Sequence, residues 1–290
     1  MDPTLEVTAG ASIRGAATDV AMGDEVIGAG TVLGPAHLGV LASIGSGDVL
    51  VVPRPRVGVL STGDELVPPG RPLGPGQIHD SNRVMLVALV ERSGCEAVDL
   101  GLLPDDPDVV AAALRDAAAR CDVLVTSGGV RRGDFDGMKL VLGRIAAMDW
   151  MQVAIRPAKP FACGRLGDVP VLGLPGNPVS SLVSFELLAR PALRRMAGHP
   201  EPDRPRVPAV AEAPFERRPD GKTHFDRVTV TFDGQGFHAW PVAAQGSHQL
   251  AASAAADGLA EVPDGPTLEA GATVGVLLLD PSIVAGLGSC

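Results

Sequence analysis

A chain of 290 residues, 46% of them hydrophobic, is long enough for two domains and a small third lobe with real cores. Its formal net charge of −10 argues against general nucleic-acid binding, because a phosphate polymer would meet a repulsive overall field. An absence of apolar runs of about 18 residues, a start (Met1-Asp-Pro-Thr-Leu-Glu6) without signal-peptide pattern, and four cysteines (Cys95, Cys121, Cys163, Cys290) without Cys-x-x-Cys spacing together predict a cytoplasmic protein, not membrane-bound, with neither a zinc site nor a disulfide frame.

Residues 1 to about 53 are Gly-rich and lightly patterned. Within them, Pro35 to Ile44 predicts a short helix starting at proline, and Val49 to Val52 a short strand. Pro53-Arg-Pro-Arg56 then reads as an extended linker, since each proline pushes its predecessor out of the helical region. From Val57 to about Gly198, strand and helix alternate. Val57–Leu60 is a strand, and a helix capped by Asp80 or Ser81 runs through Val90 to a stop at Gly94. Ala97–Leu100 is a strand, followed by an alanine-rich helix from Asp106-Pro107 through Ala119. Asp122–Thr126 is a strand, Asp136 opens a helix through Ile145, and Met151–Ile155 is a strand. Phe161–Arg165 and Val169–Leu174 flank a Gly167-Asp168 turn as a hairpin, and a helix from Pro178 to Met196 closes the unit. Such βα repetition predicts an α/β domain with a mainly parallel sheet covered by helices on both faces.

Beyond His199 the proline-rich Pro200–Pro205 leads into short alternating strands, among them Thr223–Thr231 and Ala272–Leu279. Their Gly-rich turns predict a small β-barrel or sandwich. The expected division is a short, β-rich N-terminal segment over residues 1–54, the α/β domain over 55–200 and a C-terminal β-barrel over 201–290.

Chemistry gathers at the predicted strand ends. Gly173-Leu-Pro-Gly-Asn-Pro-Val-Ser180 is a strand-turn-helix in which Gly176 can take positive φ and Pro178 suits the first helical position. Free N–H groups at the start of that helix make the turn a natural anion site. Ser127-Gly-Gly-Val130 and Ser61-Thr-Gly-Asp-Glu65 follow two other strands, and in an open α/β sheet such ends converge on one crevice. Acids cluster at strand ends too: Asp64 and Glu65 after the first strand, Asp105 and Asp106 after the second, Asp134 and Asp136 after the third. Carboxylates around a phosphate crevice suit Mg²⁺, which bridges to phosphate oxygens; the alternative is that Asp80, Asp106 and Asp136 are helix caps. Ile155-Arg-Pro-Ala-Lys-Pro160 sets two cations on a rigid segment suited to an anion, with Ser180 and Ser181 able to join it. An acidic metal site beside a cationic pocket implies a ligand with both a phosphate and a separate oxyanion.

Seven motifs occur in one order: Ser61-Thr-Gly-Asp-Glu-Leu66, Gln77-Ile-His-Asp-Ser-Asn82, Leu103-Pro-Asp-Asp-Pro107, Thr126-Ser-Gly-Gly-Val130, Gly133-Asp-Phe-Asp136, Lys159-Pro-Phe161 and Gly173–Ser180. In this order the chain resembles molybdopterin molybdenumtransferases, the MoeA family, similar to the E domain of gephyrin. Phe225-Asp-Arg227 and Gln245-Gly-Ser-His248 resemble motifs of that family's C-terminal barrel. The resemblance implies a MogA/MoeA-like central domain and an enzyme that takes adenylylated molybdopterin and molybdate. With Mg²⁺ it would cleave the adenylate, release AMP and leave molybdenum on the dithiolene.

Carried over by position, Thr62, Ser127, Gly128, Gly129, Asp134, Asp136, Pro175, Asn177 and Pro178 would surround the pterin, phosphate and nucleotide. Asp19, Glu65, Asp105 and Asp136 would be the catalytic acids, with Asp19, Glu65 and Asp136 near the metal. Arg156, Lys159, Ser180, Arg227 and Ser247 resemble the family's molybdate pocket, which agrees with a dianion's need for cations and hydroxyl donors. A homodimer is implied as well. The resemblance begins near Ile13, so the family's N-terminal lobe is expected to have no counterpart here. Arg131-Arg132 stands where the family has Ser-Val, Pro157-Ala-Lys-Pro160 where it has Pro-Gly-Lys-Pro, and Gln152 and Arg156 replace lysines. Two readings of function stand: the molybdenum-inserting enzyme, and a non-catalytic relative that binds a pterin, nucleotide or protein partner through the same scaffold. The related adenylyltransferase that loads AMP onto molybdopterin is a third, disfavoured because it resembles the central domain alone.

Overall fold

The structure is a computed structural model that describes residues 8–128 and 137–280. The chain divides into two compact units, Met1–Val52 and Pro53–Cys290. In the first, helix α1 (Pro35–Ser43) starts at proline, and His37 Nδ1 accepts from the Gly34 N–H at 2.9 Å. The strand expected at 49–52 is not formed; these residues are irregular, with Leu50 fully exposed. An isolated apolar tetrapeptide has no neighbouring strand to take its backbone hydrogen bonds. Among the described residues of this unit there is a helix and no strand, which corrects the expected β-rich character.

The second unit opens with β1 (Arg56–Thr62), the short β2 (Leu66–Val67) and β3 (Ile78–His79), α2 (Ser81–Arg92), β4 (Glu96–Leu103) and α3 (Pro107–Ala118). There follow β5 (Val123–Ser127), α4 (Gly137–Ile145), β6 (Ala147–Gln152), β7 (Ile155–Arg156), β8 (Pro160–Leu166) and β9 (Val169–Leu174). Helix α5 (Pro178–Ser184) then passes through a π-turn at Phe185–Ala189 into α6 (Arg190–Met196). The sheet order is β4-β1-β5-β9-β8-β6. Its first four strands are parallel, and the β8–β9 hairpin and β6 run antiparallel. Alternation decides which face each side chain serves. Val57, Val59, Val123 and Val125 pack with Leu86, Val90, Phe185 and Leu193, whereas Leu60 and Leu124 pack with Leu114, Val141 and Leu142 on the other side. Gly164 is required where β8 meets β6: a Cβ there would lie 2.0 Å from the Ala147 carbonyl oxygen.

The helix ends follow their local chemistry. Asp80 caps α2 by accepting from the Arg83 N–H, and Asp106 caps α3 by accepting from the N–H groups of Asp108 and Val109. For these two acids the capping alternative holds. The strand expected over Met151–Ile155 is two elements. β6 ends at Gln152, and β7 leaves the sheet to pair in parallel with the start of the barrel strand Thr223–Phe232.

That barrel comprises β10 (Arg206–Ala211), β11 (Thr223–Phe232), β12 (Phe237–Pro241), the single-turn α7 (Ala251–Ala254), β13 (Gly258–Val262) and β14 (Thr273–Leu278). The order β12-β10-β14-β13-β11 closes through a further β11–β12 pairing, so no edge of these five strands is left open between them. Phe215, Val228, Val230, Ala260 and Val276 fill its interior. Ala158, Val179 and Val183 from the α/β side pack against Phe225, Leu259 and Leu277 of the barrel, forming an apolar seam. The chain between them is held by Arg204, whose guanidinium donates twice to the buried Glu186 carboxylate, at 2.8 and 2.9 Å.

Candidate active site

Parallel strands β1, β5 and β9 end at one edge of the sheet, and their turns touch. Gly128 sits at φ +92°, where an L-residue is disfavoured, and its N–H donates to the Leu174 carbonyl at 3.0 Å. A Cβ on Gly176 would lie 3.6 Å from the Gly128 Cα, and one on Gly128 would lie 3.9 Å from the Thr62 carbonyl oxygen. Asn82, from the start of α2, ties two of these turns together. Its amide donates to Ser127 Oγ at 2.8 Å and to the Gly176 carbonyl at 2.7 Å. Asp64 and Asp105 join the ends of β1 and β4, each accepting from the other's backbone N–H. A Cβ on Gly137, at the start of α4, would lie 3.8 Å from the Asp105 carbonyl oxygen.

Thr62, Glu65, Asp105, Ser127, Gly128, Pro175 and Asn177 therefore share one edge. Ser127 and Pro175 are buried, while Glu65, Asp105 and Asn177 are exposed. Gly129, Asp134 and Asp136, with Arg131 and Arg132, lie outside the described residues. Asp19 belongs to the first unit. Among the described residues, no three His, Cys, Asp or Glu side chains gather closely enough to hold a metal ion. Asp64 and Asp105 spend carboxylate oxygens on each other's loops, so the donors expected for a cation are not assembled from the described residues.

Sequence reasoning named Asn82 within a motif without giving it a role. An asparagine that bridges two turns shows itself only when both turns are placed.

A cavity of about 410 Å³ opens at the seam between the sheet and the barrel. Arg156, Lys159, Ser180 and Ser247 line it, as expected for an oxyanion pocket. The turn that starts α5 is fastened to it: Asn177 donates to Ser247 Oγ at 3.2 Å, and the Val179 N–H donates to the Ser247 carbonyl at 3.0 Å. That N–H is therefore not free for a ligand, contrary to the expected open helix start. Ala158, between the two cations, is buried at φ +78°.

Arg227 is not among the residues lining this cavity. It is 1% exposed and faces the other side of β11, where it holds the loop after β12. Its guanidinium donates to Gln249 O (2.7 Å), Gly246 O (3.2 Å), Gln245 Oε1 (3.3 Å) and Ser253 Oγ (3.3 Å). The cavity wall on the barrel side is made instead by Glu216, Arg217, Lys222, His224, Asp226 and Gln245. Sequence reasoning missed them as site residues. His224 and Asp226 are two apart in a strand and so share a face, a signal that needed the strand's orientation to be useful.

Charges on this wall are partly paired. Arg217 donates to Asp264 at 2.8 Å, while Lys222 and His224 contact Asp220 at 2.7 and 3.1 Å. The Lys222 ammonium, helped by His224, holds the Asp220 carboxyl down at about 2. Burial pushes the Asp226 carboxyl above the ordinary carboxylate range, although His224, Arg156, Arg217 and Arg227 pull it down.

Comparison with known proteins identifies both domains. A family described as a probable molybdopterin binding domain matches residues 58–195, and the MoeA C-terminal region (domain IV) matches residues 209–279. Molybdopterin molybdenumtransferase 2 of Mycobacterium tuberculosis is 39% identical over 265 residues, covering 89% of this chain and 65% of the relative. The molybdopterin molybdenumtransferase of Haemophilus influenzae is 39% identical over 242 residues, covering 83% and 60%. The chain thus spans under two thirds of the length of these curated relatives. Among solved structures, a molybdopterin biosynthesis MoeA protein from Pyrococcus horikosii superimposes with a TM-score of 0.74 at 32% identity, covering 87% of this chain and 61% of that one. Both matched domains and the curated relatives agree, and the chain belongs to the MoeA family.

Proposed function

We propose that this chain acts in molybdenum cofactor biosynthesis as a molybdopterin molybdenumtransferase, accepting adenylylated molybdopterin and molybdate and releasing AMP. The observation that carries this reading is the seating of a cavity lined by two cations, Arg156 and Lys159, and two hydroxyls, Ser180 and Ser247, directly against the α5 turn of the sheet edge. Ser127, Gly128, Thr62, Pro175, Asn177 and Pro178 would shape the pterin and nucleotide side, with Gly129, Asp134 and Asp136 completing it. Arg156, Lys159, Ser180 and Ser247 would hold molybdate, and Arg227 would serve by fixing the loop that carries Ser247. Glu65, Asp105 and Asp136 are the proposed acids for adenylate cleavage.

Mg²⁺, a homodimer, a cytoplasmic location and domain boundaries near 54 and 200 belong to the same proposal; the homodimer rests on the family resemblance, the location on the pattern of the N-terminus and the cysteines, and the boundaries on the proline-rich segments at 53–56 and 200–205. Among the described residues, no helix is long and apolar enough to cross a membrane.

The test is direct. Purified protein given adenylylated molybdopterin, Mg²⁺ and molybdate should release AMP, and omission of molybdate should abolish the release. Ligand binding without AMP release would instead support a non-catalytic scaffold. Light scattering at micromolar concentration tests the dimer.

A further inference from the structure

The seam cavity carries a charge problem that its residues do not solve among themselves. Arg217 is committed to Asp264, and Lys222 and His224 share Asp220. Arg156 and Lys159 have no ion pair or side-chain hydrogen bond among the described residues, and they share the cavity with two acids, the exposed Glu216 and the half-buried Asp226. With both acids ionised, the uncommitted charges cancel. A dianion entering a neutral cavity gains little field to offset its lost hydration. Asp226 presents a second difficulty. Its carboxylate has no hydrogen-bond partner among the described residues, and an ionised carboxylate can only accept, as can a fully ionised oxyanion. A proton on Asp226 resolves both difficulties at once.

We propose that Asp226 takes up a proton as a tetrahedral oxyanion dianion enters this cavity, its carboxyl O–H then donating to an oxygen of the anion. The proposal rests on the reading of this cavity as the molybdate site, and it adds a coupling that the reading itself does not contain. The charged groups around Asp226 are Arg156 and Lys159 on the rim, Glu216, Arg217 and Lys222 on the barrel wall, His224 on the same strand with Asp220 behind it, and Arg227 on the far face. Ser180, Gln245 and Ser247 contribute no charge. Burial already favours the protonated carboxyl, and an approaching dianion favours it further.

Titration calorimetry of the full chain with sodium molybdate, in phosphate-free buffers of different ionisation enthalpy, tests this. Above the carboxyl's own titration range the wild type should take up about one proton per molybdate, and its affinity should fall about tenfold per pH unit. Asp226→Asn should bind with no proton uptake and with an affinity flat across that range, whereas His224→Gln should retain the uptake. Molybdate binding by the wild type without proton uptake overturns the proposal, as does undiminished uptake in Asp226→Asn. If folded wild type and folded Asp226→Asn both fail to bind molybdate, the oxyanion reading of the cavity itself fails.

Discussion

Asp64 and Asp105 brace one another across the sheet edge. Asp64 Oδ1 accepts from the Asp105 N–H at 3.1 Å, and Asp105 Oδ2 accepts from the Asp64 N–H at 3.4 Å. The two loops that carry proposed chemistry are thus held by one of the proposed acids. Asp105→Ala should cost about 1 kcal/mol in urea unfolding, the net worth of an exposed hydrogen-bonded acceptor, and Asp105→Asn less. AMP release should nevertheless fall sharply in Asp105→Asn if the carboxylate acts on the adenylate. Wild-type release in that variant would reduce Asp105 to a brace.

Asn82 is a second lever on the same edge. It is 8% exposed and donates to both Ser127 and Gly176. Asn82→Ala should destabilise the protein by about 2 kcal/mol through lost hydrogen bonds at a buried site. Nucleotide affinity should weaken with it, because the two turns lose their common tie. Unchanged unfolding in urea would contradict this.

Arg227 separates charge from geometry. If the guanidinium acts by holding the 245–253 loop, Arg227→Lys keeps the charge yet loses the forked donor set. Both Arg227→Lys and Arg227→Met should then cost about 2–3 kcal/mol and weaken molybdate binding alike. A lysine variant with wild-type molybdate affinity would restore Arg227 to the role of an anion ligand acting by charge.

Asp226 predicts a pH dependence of stability with a definite sign. Its carboxyl titrates higher in the folded protein than in the unfolded chain, because burial disfavours the ion. Between those two values the folded state binds more protons, so stability falls as pH rises through the folded value. Its contribution is fully present below the unfolded value. Asp226→Asn should therefore be more stable than the wild type at neutral pH, with the gap closing in acid. Thermal unfolding across pH checks this, and a gap that widens in acid would reverse the assignment.

Much of the α/β domain is legible in the amino-acid sequence, because its signals are local. Asp80 and Asp106 cap helices through side chains two or three residues from their targets, Gly94 ends α2 at positive φ, and the 161–174 hairpin turns at Gly167. What escapes such a reading is decided at long range. Val49–Val52 has strand composition but no partner strand, and Ile155 and Arg156 pair 68 residues away in the barrel. For the site, motif order places the edge residues well. Arg227, by contrast, stands at the expected position but faces away from the cavity, while Asp226 beside it faces in. Strand alternation makes that distinction at one-residue resolution, and no motif of three residues carries it.

The two-residue ladder between β7 and β11 also governs how this protein can be recombined. Ile155 and Arg156 are hydrogen-bonded into the same sheet as Thr223 and His224, so the rim of the cavity is woven from both halves of the second unit. A chimera joined near residue 200 would bring in a foreign β11 and with it a foreign wall opposite Arg156. Parts from two relatives would fit only if the incoming strand matched the native one in register as well as in sequence. Residues 155–160 and 223–226 are in that sense a single heritable piece, although some sixty residues of chain lie between them.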